Sequence, residues 1–255
     1  MKKIAKACNV AFSMYSKIPM PRFEWASEDM RYHLFFFPWI GAVIGLLEWG
    51  WYCMTEKFSI GSVLYLTMAI ALPILVTGGF HLDGFMDTKD AQSSYQAQDK
   101  KLVILKDPHI GAFAVIHLVL YLLLAFGFLS VIEQKTAIAA LCFSFFMSRC
   151  LSGWSVLHFP AAKKEGSLYT EADTSDRRNV SIGLVLQLVI AVGVSVYCTK
   201  QYGFLVAAAN LMVFLYYYRM SKRTFGGITG DLAGYYVCMA ELWSVIVVGV
   251  YLVLQ

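Results

Sequence analysis

A chain of 255 residues that is 58% hydrophobic, only 15% charged and +0.60 in mean hydropathy is not a soluble domain, which carries about a quarter charged residues. Its net charge of +4 is modest and clusters in the polar segments, which reads as membrane topology and excludes nucleic acid as a partner. The six cysteines are scattered without a CxxC pair, so neither a zinc site nor a disulfide framework is expected.

Taken in chain order, residues 4–15 mix Ala, Val, Phe and Met with Lys6 and Asn9, the pattern of an interfacial amphipathic helix. With no continuous apolar core and no small-residue cleavage site, this is not a signal peptide. Pro19 and Pro21 then force an extended segment. Spanning segments follow at 34–54, 60–79, 110–132, 137–158, 180–199, 202–218 and 232–254, each of the length a bilayer crossing needs. Pro38 falls in the first turns of the first span. Trp49 and Trp51 fall near its far end as aromatic-belt residues, and Glu48, in the same zone, reads as an interfacial carboxylate. No linker or low-complexity segment divides the chain. The expectation is one integral membrane domain over 1–255, an all-α polytopic bundle of about seven transmembrane helices.

Placing the N-terminus in the cytoplasm puts only Lys57, Lys135 and Lys200 on the far side. Arg149 lies within a span, and every other lysine and arginine falls on the near side. The positive-inside rule therefore predicts a cytoplasmic N-terminus, and all the long polar loops share that side.

The longest polar stretch, 80–109, opens with the most informative residues. Asp83, Asp87 and Asp90 are spaced i, i+4, i+7, and on a helix their carboxylates fall within about 60° of one another. Like charges so stacked repel, and a divalent cation is the usual remedy. The alternative is a solvated helix start with Asp83 as its N-cap. Three more segments share the same side: Lys106-Asp107-Pro108-His109-Ile110-Gly111, the loop 161–179, and Gly226-Gly227-Ile228-Thr229-Gly230-Asp231 at the start of the last span. Glycines there free backbone N–H groups to face an anion, and the following helix adds its positive end. Carboxylates, a cation, a glycine loop and basic side chains are the kit of phosphoryl transfer, and Mg²⁺ is the cation that a few carboxylates plus substrate phosphates hold. Asp83, Asp87, Asp90 and Asp231 are the expected metal ligands. Lys106, Arg149 and the turn residues Gly227, Thr229 and Gly230 are expected to hold phosphates.

Arg149 and Glu241 each lie ten residues from the cytoplasmic ends of their spans, roughly 15 Å deep at 1.5 Å per residue. Equal depth predicts that they pair, as an ion pair or as the floor of a polar cavity. For His81 a structural role and a role as general base both stay open. His33, His117 and His158 read as interfacial or packing residues.

The stretch Gly78-Gly79-Phe80-His81-Leu82-Asp83-Gly84-Phe85-Met86-Asp87-Thr88-Lys89-Asp90 resembles the GG-h-H-x-D-G-h-x-D-T-x-D signature of the cobalamin synthase family, the adenosylcobinamide-GDP ribazoletransferases. The likeness extends to Lys17-Ile18-Pro19, Phe37-Pro38-Trp39-Ile40-Gly41, Leu105-Lys106-Asp107, Ile110-Gly111, Ser148-Arg149, the 226–231 turn and Glu241, in order over essentially the whole chain. Lys89, Ala91 and His109 depart from the residues common in that family, which leaves the acidic core untouched. The resemblance implies a Mg²⁺-dependent phosphotransferase of the prokaryotic cytoplasmic membrane, with its active site facing the cytoplasm. Its substrates would be adenosylcobinamide-GDP and α-ribazole or its 5′-phosphate, and its products adenosylcobalamin (phosphate) and GMP. It implies catalytic roles for Asp83, Asp87, Asp90 and His81, and substrate contacts from Lys106, Arg149, Gly227, Thr229, Gly230 and Glu241. Membrane lipid is the expected surround, and a homo-oligomer is left open. A CDP-alcohol phosphotransferase uses similar chemistry, but its D-G-x2-A-R pattern is missing after Asp83-Gly84. A transporter would place its polar clusters at the midplane rather than at one surface.

Overall fold

The computed structural model describes residues 2–163 and 165–255, and among them the regular structure is helical. The amphipathic helix α1 (Lys2–Tyr15) buries Ala7, Val10, Ala11 and Tyr15, one face at helical spacing. A short 3₁₀ turn leads into α2 (His33–Phe58), and α3 (Ser62–Thr77) returns beside it. At Gly78 and Gly79, with φ of 67° and 81°, the chain bends by 96° into α4 (Phe80–Ser93). Only glycine adopts that left-handed backbone freely, so the pair ends one helix and opens the next. After α5 (Gln98–Ile104) come α6 (Ala112–Leu129), α7 (Lys135–His158), the short α8 (Ser167–Thr174), α9 (Arg177–Thr199), α10 (Gln201–Met220) and α11 (Gly230–Val253).

Six of these helices are each long and apolar enough to cross a membrane; α3 passes that test together with α4 as a bent pair. The molecule is a polytopic membrane bundle, and its crossings match the seven segments read from hydropathy to within a few residues. The crossings alternate in direction, so α4, the start of α6, α8 and the start of α11 gather at one end, with α1 lying against it.

Helix α7 is the central post. Ser148, Ser152 and Ser155 are fully buried on it, small enough to let neighbouring backbones approach. Gly41 and Gly45, four residues apart on α2, press directly on α7. A Cβ at Gly41 would lie 2.1 Å from the Phe145 carbonyl oxygen, and one at Gly45 2.5 Å from that of Cys142. Deeper in the bundle, Asn210 Nδ2 donates to both Ser144 Oγ and Ser244 Oγ at 3.1 Å, tying α7, α10 and α11 with hydrogen bonds that lipid cannot replace. One apolar core underlies the site end, built on Phe37, Phe85, Tyr217 and Tyr235; another fills the far end around Tyr52, Leu129 and Val248.

The α2–α7 contact leaves no room for a side chain, so Gly41→Leu should force the helices apart at a cost of at least about 1–3 kcal/mol. Thermal unfolding in detergent should show a clear drop in midpoint for this variant. Gly50→Leu, where a Cβ meets nothing within 4 Å, should unfold like the native protein.

Candidate active site

The site is built where α4 crosses the first turns of α11. Gly84 makes the crossing possible: a Cβ there would lie 2.7 Å from the Asp231 carbonyl oxygen and 2.8 Å from its Cα. Gly234, one turn further on, lies against the backbone of His81. Phe85 stacks on Tyr235 with ring centroids 5.9 Å apart and closes the seam. This register turns Asp83 and Asp87 towards Asp231. At the far end of α4, the Asp90 carboxylate sits where a side chain on Gly111 would go, so the start of α6 joins the cluster.

Asp83 does not cap the helix. Gly79 holds that position, and the Asp83 N–H already donates to the Gly79 carbonyl at 2.8 Å. The four carboxylates instead act on one another. Half-burial, followed by the charges of Asp83, Asp231 and Asp90, pushes the Asp87 carboxyl up to about 6. Among the described residues, no group of three His, Cys, Asp or Glu side chains is drawn together tightly enough to hold an ion as placed. The donor chemistry nevertheless fits a hard cation. All the donors are carboxylate oxygens, their repulsion is offset only in part by Lys106 beside Asp231, and Mg²⁺ needs only one or two of them while keeping waters and phosphate oxygens for the rest.

Beside the carboxylates lies a cavity of about 150 Å³ whose lining includes Lys106, Lys163, Ser167, Thr229, Gly230 and Asp231. Lys106 is exposed and stands 3.9 Å from Glu165. Thr229 caps α11, its Oγ1 accepting from the Leu232 N–H at 3.3 Å. The Gly227 N–H donates to the Ser221 carbonyl and that of Ile228 to Pro160, in a short parallel pairing of Ile228 with Ala161. Those donors are thus committed to the fold, and the sequence reading of Gly227 as an anion cradle is corrected. An anion would be met at the first turn of α11, at Thr229 and Gly230. The pairing also holds loop 161–179 over the site. Within that loop α8 is latched by Tyr15, whose hydroxyl donates to Glu171 Oε2 at 2.5 Å, with His33 Nε2 3.8 Å from the same oxygen.

Behind α4, inside the membrane, Arg149 Nη1 donates to Glu241 Oε1 at 2.7 Å and to the Phe145 carbonyl at 2.8 Å. The pairing expected from equal depth is present, and Arg149 is 1% exposed in the interior. Glu48 corrects the sequence reading more sharply. It is 8% exposed, not interfacial, and it shares a cavity with His81, Arg149 and Glu241. His81 is 5% exposed, and among the described residues neither ring nitrogen has a hydrogen-bond partner. Sequence reasoning missed the inward Glu48 and the Tyr15–Glu171 latch. A carboxylate inside an apolar run was the available signal for the first; the second depends on a contact distant in sequence.

A membrane bundle that gathers carboxylates, a helix N-terminus and lysines at one end belongs to the class of membrane-embedded group-transfer enzymes. The comparisons name it more closely. The profile described as cobalamin-5-phosphate synthase matches residues 7–249. The chain is 42% identical over 235 residues to the adenosylcobinamide-GDP ribazoletransferase of Lachnoclostridium phytofermentans, covering 92% of this chain and 90% of that one. It is 30% identical to the protein of that name from Clostridium perfringens strain SM101, covering 98% and 100% of the two chains. To that of Geobacillus kaustophilus it is 32% identical, covering 96% and 97%. No solved structure matches the chain. The chain belongs to the cobalamin-5-phosphate synthase family, and it is an enzyme of cobalamin biosynthesis.

The raised Asp87 value has a definite sign. The folded-state value, about 6, lies above the ordinary 3.8, so the cost of charging this carboxyl, from burial first and repulsion second, is absent at low pH and grows as pH rises through 6. Protein free of divalent cations should therefore lose thermal stability between about pH 4 and pH 7. Mg²⁺ should restore that stability at pH 7 and bind more weakly below about pH 6, and thermal melts across this pH range with and without Mg²⁺ check both.

Proposed function

We propose that the enzyme transfers the cobinamide phosphate of adenosylcobinamide-GDP to α-ribazole or its 5′-phosphate, releasing GMP and forming adenosylcobalamin or its phosphate. The observation that carries this reading is the convergence of Asp83, Asp87, Asp90 and Asp231 with Lys106 and the opening turn of α11. The relatives' shared name supplies the substrate, and the acidic and basic groups supply the means to hold a pyrophosphate.

Each part of the site has a task in that transfer. Asp83, Asp87, Asp90 and Asp231 would hold Mg²⁺, which when bound neutralises phosphate charge and orients the transferring group. Lys106, Lys163 and the N-terminus of α11 would meet the outer phosphate oxygens. His81, whose ring nitrogens are both unpartnered among the described residues, would take the proton of the attacking hydroxyl. The loop held by the Tyr15–Glu171 latch would shield the reacting phosphorus from water. Lysines and arginines concentrate around this end of the bundle, which supports a cytoplasmic active site in the cytoplasmic membrane.

Purified protein given adenosylcobinamide-GDP, α-ribazole and Mg²⁺ should release GMP. Asp87→Asn should lower kcat by more than about a hundredfold while the protein stays folded. Native protein that releases no GMP from these substrates would rule the reading out.

A further inference from the structure

The cavity behind α4 has a composition unlike the rest of the membrane interior. Its walls are mostly apolar, from Ile70, Ile74, Leu141 and Val245 among others, and its ionisable groups Glu48, His81, Arg149 and Glu241 are joined by hydroxyls such as those of Tyr65 and Tyr121. Among the described residues, three of the ionisable groups carry unpartnered atoms: Glu48 Oε1, both ring nitrogens of His81, and Arg149 Nε. Each of these side chains belongs to a residue more than nine-tenths buried. Buried polar atoms left open are costly, so their clustering in one cavity points to a missing partner. Apolar walls with a few convergent polar groups are the recognition pattern for a small organic ligand. The Arg149 guanidinium argues against a metal cation there, and the polar floor argues against a lipid tail.

Size and position narrow the ligand. The cavity measures about 100 Å³, against about 150 Å³ for an engineered cavity that takes one benzene ring. One wall is α3, which buries only Leu66 and Thr77 along its length and so is free to give. His81 and Leu82 close the cavity on the side of α4, and Asp83 follows at once. His81 also lines a second, smaller cavity with Ser167, Gly230 and Gly234, so a ring seated against His81 leaves an attached sugar beside the first turn of α11.

We propose that this cavity is the acceptor subsite, where the planar nitrogen-heteroaromatic base of the nucleoside inserts into the membrane interior and shares one proton between its ring nitrogen and the Glu48 carboxyl. The proposal rests on the transferase reading and extends it by separating the two substrates. The nucleoside's base sits on the membrane side of α4, and the pyrophosphate sits on the carboxylate side. Glu48 is then a specificity residue, selecting bases that carry a free ring nitrogen.

The test uses the full chain in detergent and two readouts. In steady-state GMP release, Glu48→Leu should raise the KM for α-ribazole by about tenfold or more and leave that for adenosylcobinamide-GDP within about twofold. Glu48→Gln, which keeps a hydrogen-bonding group, should recover most of the loss. In thermal shift, benzimidazole should stabilise the native protein more than indole, which has no acceptor nitrogen, and Glu48→Leu should abolish the difference. Ala69→Phe, which fills the cavity from α3, should repeat both effects should Glu48→Leu not fold. An unchanged KM for α-ribazole in the variants, equal rises in both KM values, or equal stabilisation by benzimidazole and indole would overturn the proposal. The ring-binding readout does not need turnover. A native protein that binds benzimidazole selectively yet releases no GMP would therefore keep the cavity assignment and reject the transferase reading.

Discussion

The contact on which the rest of the site depends is the backbone-to-backbone crossing of α4 and α11 at Gly84. Asp231 lies so close that no side chain fits between them. That crossing fixes the rotation of α4, and the rotation decides everything else about the helix. It faces Asp83 and Asp87 towards Asp231 and sends His81 to the opposite side, into the membrane cavity. The bend at Gly78-Gly79 frees α4 from the direction of α3 so that it can take up this position. Packing of Phe85 on Tyr235 holds the crossing against carboxylates that push it apart. The fold keeps a repulsive cluster assembled, and a cation bound there would relieve it.

Below that crossing the low dielectric of the membrane sets different terms. Arg149 and Glu241 meet at 2.7 Å, with the Phe145 carbonyl taking a second proton from the same guanidinium nitrogen. Buried ion pairs return little net stability, since desolvation offsets most of their attraction. What this pair contributes is register: it fixes α7 against α11 at one depth, as the Asn210–Ser144–Ser244 hydrogen bonds do elsewhere in the bundle. Among the described residues Glu48 Oε1 has no partner, which sets it apart from Glu241.

The crossings were legible because hydropathy reports burial in lipid directly, and no tertiary contact is needed to see it. The acidic face was legible because an i, i+4, i+7 spacing survives as a face on any helix. The Arg149–Glu241 pair came from depth arithmetic alone. Glu48 was misread because its neighbour Trp49 suggested the interface, whereas the rotation of α2, set by Gly41 and Gly45 against α7, turns the carboxylate inward. The Gly227 turn was misread because its N–H looked free, whereas the π-turn at the end of α10 folds back so that the Ser221 carbonyl accepts it, and segment 160–162 pairs with the next residue, Ile228. Tyr15 and Glu171 are 156 positions apart, and no local pattern announces their hydrogen bond.

Through its close approach at Gly84, the crossing of α4 and α11 would assemble a cation site from both helices. Its most direct test is divalent-ion binding to the purified protein, read by electron paramagnetic resonance with Mn²⁺ standing in for Mg²⁺. Gly84→Ala adds one methyl group and removes no carboxylate. If the crossing assembles the site, this variant should stay folded yet bind Mn²⁺ at least about tenfold more weakly than the native protein. A folded Gly84→Ala protein with native Mn²⁺ affinity would contradict the account.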